Sequence, residues 1–204
     1  MAGKMNHSNI KKILIFALCG IGDIIVLTPT VTSIKKNYPE SEITIVIRKN
    51  VSRELLENNP FVYRIFNYPD DFIINVWTKW FKSNTKLKDI KNLVREVKFL
   101  LRFRIEKYDV SLWAFPGEMK RGAIVSFIAG AKIKIGPSYR MFGIETGLFY
   151  DYSLKPNNHT HRVEDNLKYV KLLAADNQVE SELYLKISKK DEKFAQRFLR
   201  NNDI

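Results

Sequence analysis

Five residues near the amino terminus, Cys19-Gly20-Ile21-Gly22-Asp23, combine the types that a reactive turn needs. Two glycines let a backbone bend tightly and let another molecule approach without Cβ obstruction. The carboxylate of Asp23 could take a proton from a hydroxyl as that oxygen attacks an electrophilic carbon, an effect of about 10² to 10⁴ in rate. The same carboxylate could equally serve as a helix cap, satisfying backbone donors and the helix dipole. Two phosphate-binding readings of the turn fail. A dinucleotide fingerprint needs a third glycine where this chain has Ile25, and the second apolar run ends in Arg48-Lys49 rather than in an acid for a ribose hydroxyl. A phosphate loop needs Lys and Ser or Thr after its last glycine, whereas Asp23 comes after Gly22.

The elements around this turn must hold it at the mouth of a sheet. Ile13 to Leu18 is a nearly continuous apolar run, as expected of a parallel strand buried on both faces. After the turn, Ile24, Ile25, Leu27, Val31 and Ile34 recur at helical spacing, and Pro29 falls in the first turns, where a missing N–H costs least. Tyr38-Pro39-Glu40 ends the helix, and Ile43 to Ile47 reads as a second strand. Together these make a right-handed βαβ unit. Ser52 to Asn58 reads as a short helix and Val62 to Phe66 as a third strand, after which residues 69 to 84 form an insertion with no clean period. Leu87, Ile90, Leu93, Val94, Val97, Leu100 and Leu101 then trace one face of a long helix whose other positions carry Lys86, Lys88, Lys91, Arg95, Lys98 and Arg102. Tyr108 to Phe115 reads as strand four, Met119 to Ala129 as a helix and Lys132 to Ile135 as strand five. Phe149 to Leu154 is a further strand or an extended connection. Val163 to Leu173, starting near Thr160, is a helix, Leu183 to Ile187 a short strand, and Ser188 caps a last charged helix. Strands alternating with helices predict an α/β fold: a Rossmann-like open parallel sheet with helices on both faces. In such sheets ligands collect beyond the carboxyl ends of the strands, where the first turn stands.

Several stretches, in order, resemble one family. They are Lys12-Ile13-Leu14-Ile15, Gly20-x-Gly22-Asp23-Ile24 and Leu27-Thr28-Pro29, then Ile34-Lys35-Lys36-x-Tyr38-Pro39 with Glu42-Ile43, and Leu56-Glu57-x-Asn59-Pro60. Tyr108-Asp109 through Pro116-Gly117, Ala129-Gly130-Ala131-Lys132 to Ile135-Gly136, and His161-Arg162-Val163-Glu164-Asp165-Asn166-Leu167 continue the series. No single stretch is specific, but their order and spacing over residues 11 to 175 resemble glycosyltransferase family 9, the heptosyltransferases and their relatives. The resemblance implies a GT-B architecture, with two Rossmann-like domains facing each other across a cleft, acceptor on the first and nucleotide-sugar on the second. It also implies inversion at the anomeric carbon without a metal, and gives Asp23 the role of base. On this view residues 1–10 are a flexible N-terminus, 11–178 the acceptor-side domain and 179–204 the start of an interdomain segment. The chain departs from the family at Ala17, Leu18 and Cys19, where an arginine and hydroxyl residues often stand. The second domain, with its His-Pro-Gly strand start and Gly-rich phosphate turn, is expected outside these 204 residues. An ADP-heptose-like donor would bind there, with a separate donor-binding chain as one way of supplying that domain, and these residues alone would not transfer sugar.

Gly20 and Gly22 are candidates for acceptor contact, as are Lys120 and Arg121 just past strand four, where cations could hold an anionic acceptor. Arg140, in the loop after Gly136, is a similar candidate; Lys120 and Arg121 are equally readable as solvated helix-start residues. His161 reads as a structural helix-start residue and Cys19 as a small packing residue.

With 34 Lys and Arg against 22 Asp and Glu, the chain has a formal charge of +12, which attracts polyanions. A solvated lysine-rich surface explains part of that excess equally well. Nucleic acid fits the charge, but no recognition motif accompanies it, so no nucleic-acid partner is expected. The basic helix near 86 to 106 and the aromatic residues Trp77, Trp80 and Phe81 suit an anionic membrane surface. One cysteine excludes an internal disulfide and points to a reducing compartment. Lys11-Lys12 before an apolar run imitates a secretory signal, but Asp23 interrupts it with no small-residue cleavage site beyond. The expected setting is the cytoplasm, peripheral to the inner face of the membrane, with a glycan or glycolipid acceptor and no cofactor or metal. The alternative is a non-catalytic module that binds anionic glycan or membrane.

Overall fold

The computed structural model describes residues 9–49, 53–69, 87–115, 122–138, 140–141, 144–155, 159–173 and 178–202. Alternation produces the expected open sheet. Strand β1 (Lys12–Ala17) leads into helix α1 (Ile21–Asn37), and then come β2 (Glu42–Arg48), the single turn α2 (Glu54–Glu57) and β3 (Arg64–Tyr68). Helix α3 (Leu87–Glu106) precedes β4 (Val110–Trp113), α4 (Gly122–Ala129) and β5 (Ile133–Pro137). A small hairpin, β6 (Arg140–Met141) and β7 (Ile144–Glu145), and a 3-10 turn at Thr146–Phe149 lead to β8 (Tyr152–Leu154). Helices α5 (Arg162–Leu173) and α6 (Lys189–Asn201) complete the series. Six strands pair in the order β3-β2-β1-β4-β5-β8, every pairing parallel.

The two-residue period of β1 sorts its side chains between two cores. Ile13, Ile15, Ala17 and Cys19 pack with α1 and α5 on one face. Leu14, Phe16 and Leu18 pack with α3 and α4 on the other, where the Phe16 and Trp113 rings lie 5.4 Å apart. Both faces are dry, which is why β1 reads as an unbroken apolar run rather than an alternating one.

The amino ends of the strands are stapled by ions. Asp109 Oδ2 accepts the N–H groups of Lys11 (2.9 Å) and Lys12 (3.0 Å), while its Oδ1 meets Lys132 Nζ at 2.7 Å. Three strands are thereby tied together before their ladders begin. A second staple sits in α5, where the buried Asp165 carboxylate accepts from Lys168 (2.7 Å), Thr160 (2.6 Å) and Arg162 (3.2 Å).

Four expectations shift. Asn59 Oδ1 accepts the Phe61 N–H at 3.0 Å and the Asn59 carbonyl accepts Val62 N–H at 3.1 Å, so the Asn-Pro turn occupies the start of the expected third strand and β3 begins at Arg64. Pro29 is the ninth residue of α1, well inside the helix, and the Ile25 carbonyl that its missing N–H leaves is taken by Thr28 Oγ1 at 2.7 Å. The segment expected as a strand at Leu183 to Ile187 pairs with no strand among the described residues. Residues 178–184 instead run back along α1, held by side chains of the helix. Asn37 bonds Gln178 (2.7 Å to its carbonyl), Ser33 Oγ accepts Glu180 N–H (2.8 Å), and Thr28 Oγ1 accepts Tyr184 N–H (2.9 Å). An extended backbone thus finds its hydrogen bonds without a sheet. Finally, the apolar positions of α3 divide: Leu100 and Phe103 are buried, whereas Ile90, Val94 and Leu101 are exposed. All but the first residue of the expected insertion, its tryptophans included, lies outside the described residues.

Both staples carry a pH signature. Burial disfavours the charge of Asp109 and of Asp165, but the Lys132 and Lys168 ammonium groups, with the other donors around each, outweigh it and hold both carboxyls below the usual range. A carboxyl whose folded pKa is lowered stabilises the fold above its unfolded value, about 3.9, and that contribution is lost as pH falls through the lowered folded value. Denaturation series between neutral pH and pH about 3 are expected to show stability falling with acid, and Asp109→Asn with Asp165→Asn to flatten that dependence.

Candidate functional site

Strand β1 is flanked by β2 on one side and β4 on the other, so the strand order reverses beside it. Helix α1 leaves β1 toward one face, while α3 and α4 cover the other. A crevice opens at the carboxyl end of such a switch point. The Cys19-to-Asp23 turn is there.

Gly20 precedes the helix with φ −78° and ψ 174°, and its carbonyl accepts the first helical N–H from Ile24 at 3.1 Å. Neither Gly20 nor Gly22 has positive φ, so the bend itself does not require glycine, contrary to the sequence expectation. What glycine supplies is space. A Cβ built on Gly22 meets nothing within 4 Å, and one on Gly20 meets only Asp23 Oδ2, at ordinary contact distance. The surface before Asp23 is open backbone.

Asp23 occupies the third position of α1 and is half-buried. Its Oδ2 accepts the Gly20 N–H at 3.1 Å, which fixes the carboxylate over the turn and satisfies one helix-start donor. Oδ1 has no hydrogen-bond partner among the described residues. The carboxylate is therefore oriented by one oxygen and available at the other. Beside it, Cys19 is buried, and its thiol is pushed up to about 12 by that burial and then by the Asp23 charge, with Arg48 opposing. Such a thiol stays protonated and is no nucleophile. Arg48, at the carboxyl end of β2, belongs to the same electrostatic neighbourhood, and sequence reasoning assigns it no part in the site. Its strand-end position beside the turn is the signal that could have found it.

Lys120 and Arg121 lie outside the described residues. Arg140 opens β6 of the separate hairpin, three residues past the carboxyl end of β5, itself two strands from β1 in the sheet. It therefore shares the edge of Asp23. His161 Nδ1 accepts the Val163 N–H at 3.3 Å at the start of α5, a structural contact. Asn166 stands in the sequence only as one member of a longer motif, yet it fixes the chain just past β4. Its Oδ1 accepts the Phe115 N–H at 2.9 Å and its Nδ2 donates to the Phe115 carbonyl at 3.3 Å, continuing the β4 edge with a side-chain amide. Among the described residues, no three His, Cys, Asp or Glu side chains cluster as metal ligands would.

No protein-family model and no curated protein matches the sequence. Solved structures do match. The glycosyl transferase family 9 structure from Veillonella parvula DSM 2008 superposes with a TM-score of 0.69 at 21% identity, over 95% of this chain and 50% of that one. The E. coli heptosyltransferase WaaC with ADP-2-deoxy-2-fluoro heptose gives 0.57 at 21% identity, over 93% of this chain and 54% of that one. The same enzyme with ADP gives 0.56, again at 21% identity, over 93% and 53%. The chain spans about half the length of each. At this identity the likeness establishes the fold: a Rossmann-like α/β unit of the kind found in these transferases.

The glycines of this edge separate by what a methyl group would meet. Gly22→Ala is expected to leave stability unchanged or raise it by about 0.5–1 kcal/mol, through helix propensity alone. A Cβ on Gly136 would collide with the Tyr150 ring, so Gly136→Ala is expected to destabilise by roughly 1–3 kcal/mol. Urea denaturation of the two variants measures both.

Proposed function

We propose that this chain is the acceptor-side half of a glycosyltransferase of the family 9, heptosyltransferase-like type. The single observation that carries the proposal is the Asp23 carboxylate, oriented through Oδ2 and available through Oδ1, at the switch point of a sheet shared with such enzymes. A lipopolysaccharide or other lipid-linked glycan approaches over the open backbone of Gly20 and Gly22. Its hydroxyl oxygen attacks the anomeric carbon of a nucleotide-sugar as the bond to the diphosphate breaks. The electron pair of that bond leaves with the nucleoside diphosphate, the hydroxyl proton passes to Asp23, and the configuration inverts. No divalent metal and no cofactor takes part. Arg140, with Lys120 and Arg121, supplies cations for an anionic acceptor.

The donor is bound by a second Rossmann-like unit, and the ligands in the WaaC structures make an ADP-heptose-like molecule the first to try. An unpartnered apolar face supports that reading. Helix α6 buries none of its residues, and Phe194, Phe198 and Leu199 are exposed there beside Leu183, Leu185 and Ile187. Covering such a face stabilises both partners. Without the donor-binding unit these residues hold acceptor but do not transfer sugar.

Capping and catalysis at Asp23 separate in one substitution, because an asparagine oxygen still accepts from Gly20 N–H but cannot take a proton. With the donor-binding half supplied, Asp23→Asn is expected to fold with wild-type stability and to lower kcat by about 10² to 10⁴. Turnover of the nucleotide-sugar reads the effect; an unchanged rate would leave Asp23 as a cap and nothing more.

A further inference from the structure

Helix α3 carries two apolar stripes where a surface helix needs one. The inner one, with Leu100 and Phe103, packs on the sheet. The outer one is exposed: Ile90 is 53%, Val94 47%, Leu101 38% and Ile105 78% accessible. At 3.6 residues per turn these four side chains fall within about 60° of arc. Lys91, Arg95, Lys98 and Arg102 fall in the adjoining roughly 60° and are all exposed. The first three have no ion-pair partner among the described residues, and the Arg102 guanidinium lies over the Phe66 ring at 5.3 Å.

Neither acid of α3 whose side chain is described balances that row. Glu96 is buried and accepts from Tyr68, and Glu106 is taken by Arg64 at 3.2 Å and Tyr108 at 3.1 Å. The neighbouring elements of the same layer extend the apolar surface. Phe127 of α4 and Phe149 of the 3-10 turn pack with rings 5.6 Å apart, both about half exposed, and Leu148 is 75% exposed. Arg104 joins α3 to this patch through the Phe127 carbonyl.

We infer that the outer face of α3 is a docking surface for an anionic lipid bilayer. An apolar stripe entering the acyl boundary beside a row of cations at headgroup level is the arrangement that binds such a surface. The stripe from Ile90 to Ile105 is roughly 22 Å long, so the helix would lie in the interface plane, and no described helix is long and apolar enough to cross it. Charge decides the occupant, since a protein partner covering only the apolar stripe would leave the cationic row unanswered. This surface is separate from the Asp23 turn, and its test does not depend on catalysis.

Sedimentation of the full chain with phosphatidylglycerol–phosphatidylcholine vesicles, against pure phosphatidylcholine, tests it with two independent variants. The wild type is expected to bind the anionic vesicles and to be released by salt. Lys91→Gln/Arg95→Gln/Lys98→Gln is expected to weaken binding on the order of 10²-fold, and Val94→Ser/Ile105→Ser about tenfold or more. Equal binding to phosphatidylcholine, or unchanged binding by the charge variant, overturns the inference. So does a loss confined to the charge variant, which would make the contact merely electrostatic. A concentration-dependent dimer abolished by Val94→Ser/Ile105→Ser, with vesicle binding intact, would assign the stripe to a second copy of the chain.

Discussion

Where the strand order of an open parallel sheet reverses, the connections on either side leave toward opposite faces, and a gap opens beyond the carboxyl ends of the strands. Strand β1 meets that constraint here, between β2 and β4, and the segment that leaves it must both turn the chain and line the gap. The turn does so with open backbone at Gly20 and Gly22 and one oriented carboxylate at Asp23. The two ends of the sheet divide the labour. The amino ends are fastened by the Asp109 staple to Lys11, Lys12 and Lys132, which leaves the carboxyl ends free to carry the site.

Motif residues around the site have physical reasons of their own. Thr28 and Pro29 act as a pair: the proline vacates the Ile25 carbonyl, the threonine hydroxyl fills it, and the same oxygen accepts the Tyr184 N–H. The strap at 178–184 is therefore tied to the helix that carries Asp23. Gly130 ends α4 with φ +69°, a conformation glycine adopts without strain, and a side chain there would meet Arg104. Asn166 holds Phe115 by both backbone groups, so α5 fixes the chain just past β4.

Much of this was legible in the sequence. The buried run of β1, the helical spacing of α1 and the serine that caps α6 depend on local pattern, and local pattern shows. Residues 183–187 misled because apolar alternation reports a strand only if another strand is present to pair with, and the preceding strap residues instead find side chains some 140 to 156 positions away. In α3 the apolar positions merge two stripes, and only packing separates Leu100 from Leu101. The glycines of the turn were legible as an opening but not as to cause, since their backbone angles are ordinary and the space in front of them is the reason they matter.

For the chain to act as half of a transferase, the crevice at the end of β1 must receive an acceptor beside Asp23. Amide NMR shifts recorded while titrating the chain with a lipopolysaccharide core oligosaccharide test this directly. Saturating changes centred on Gly20, Ile21, Gly22 and the carboxyl end of β4 are the predicted result; changes confined to other surfaces, with residues 20–23 unmoved, would contradict it.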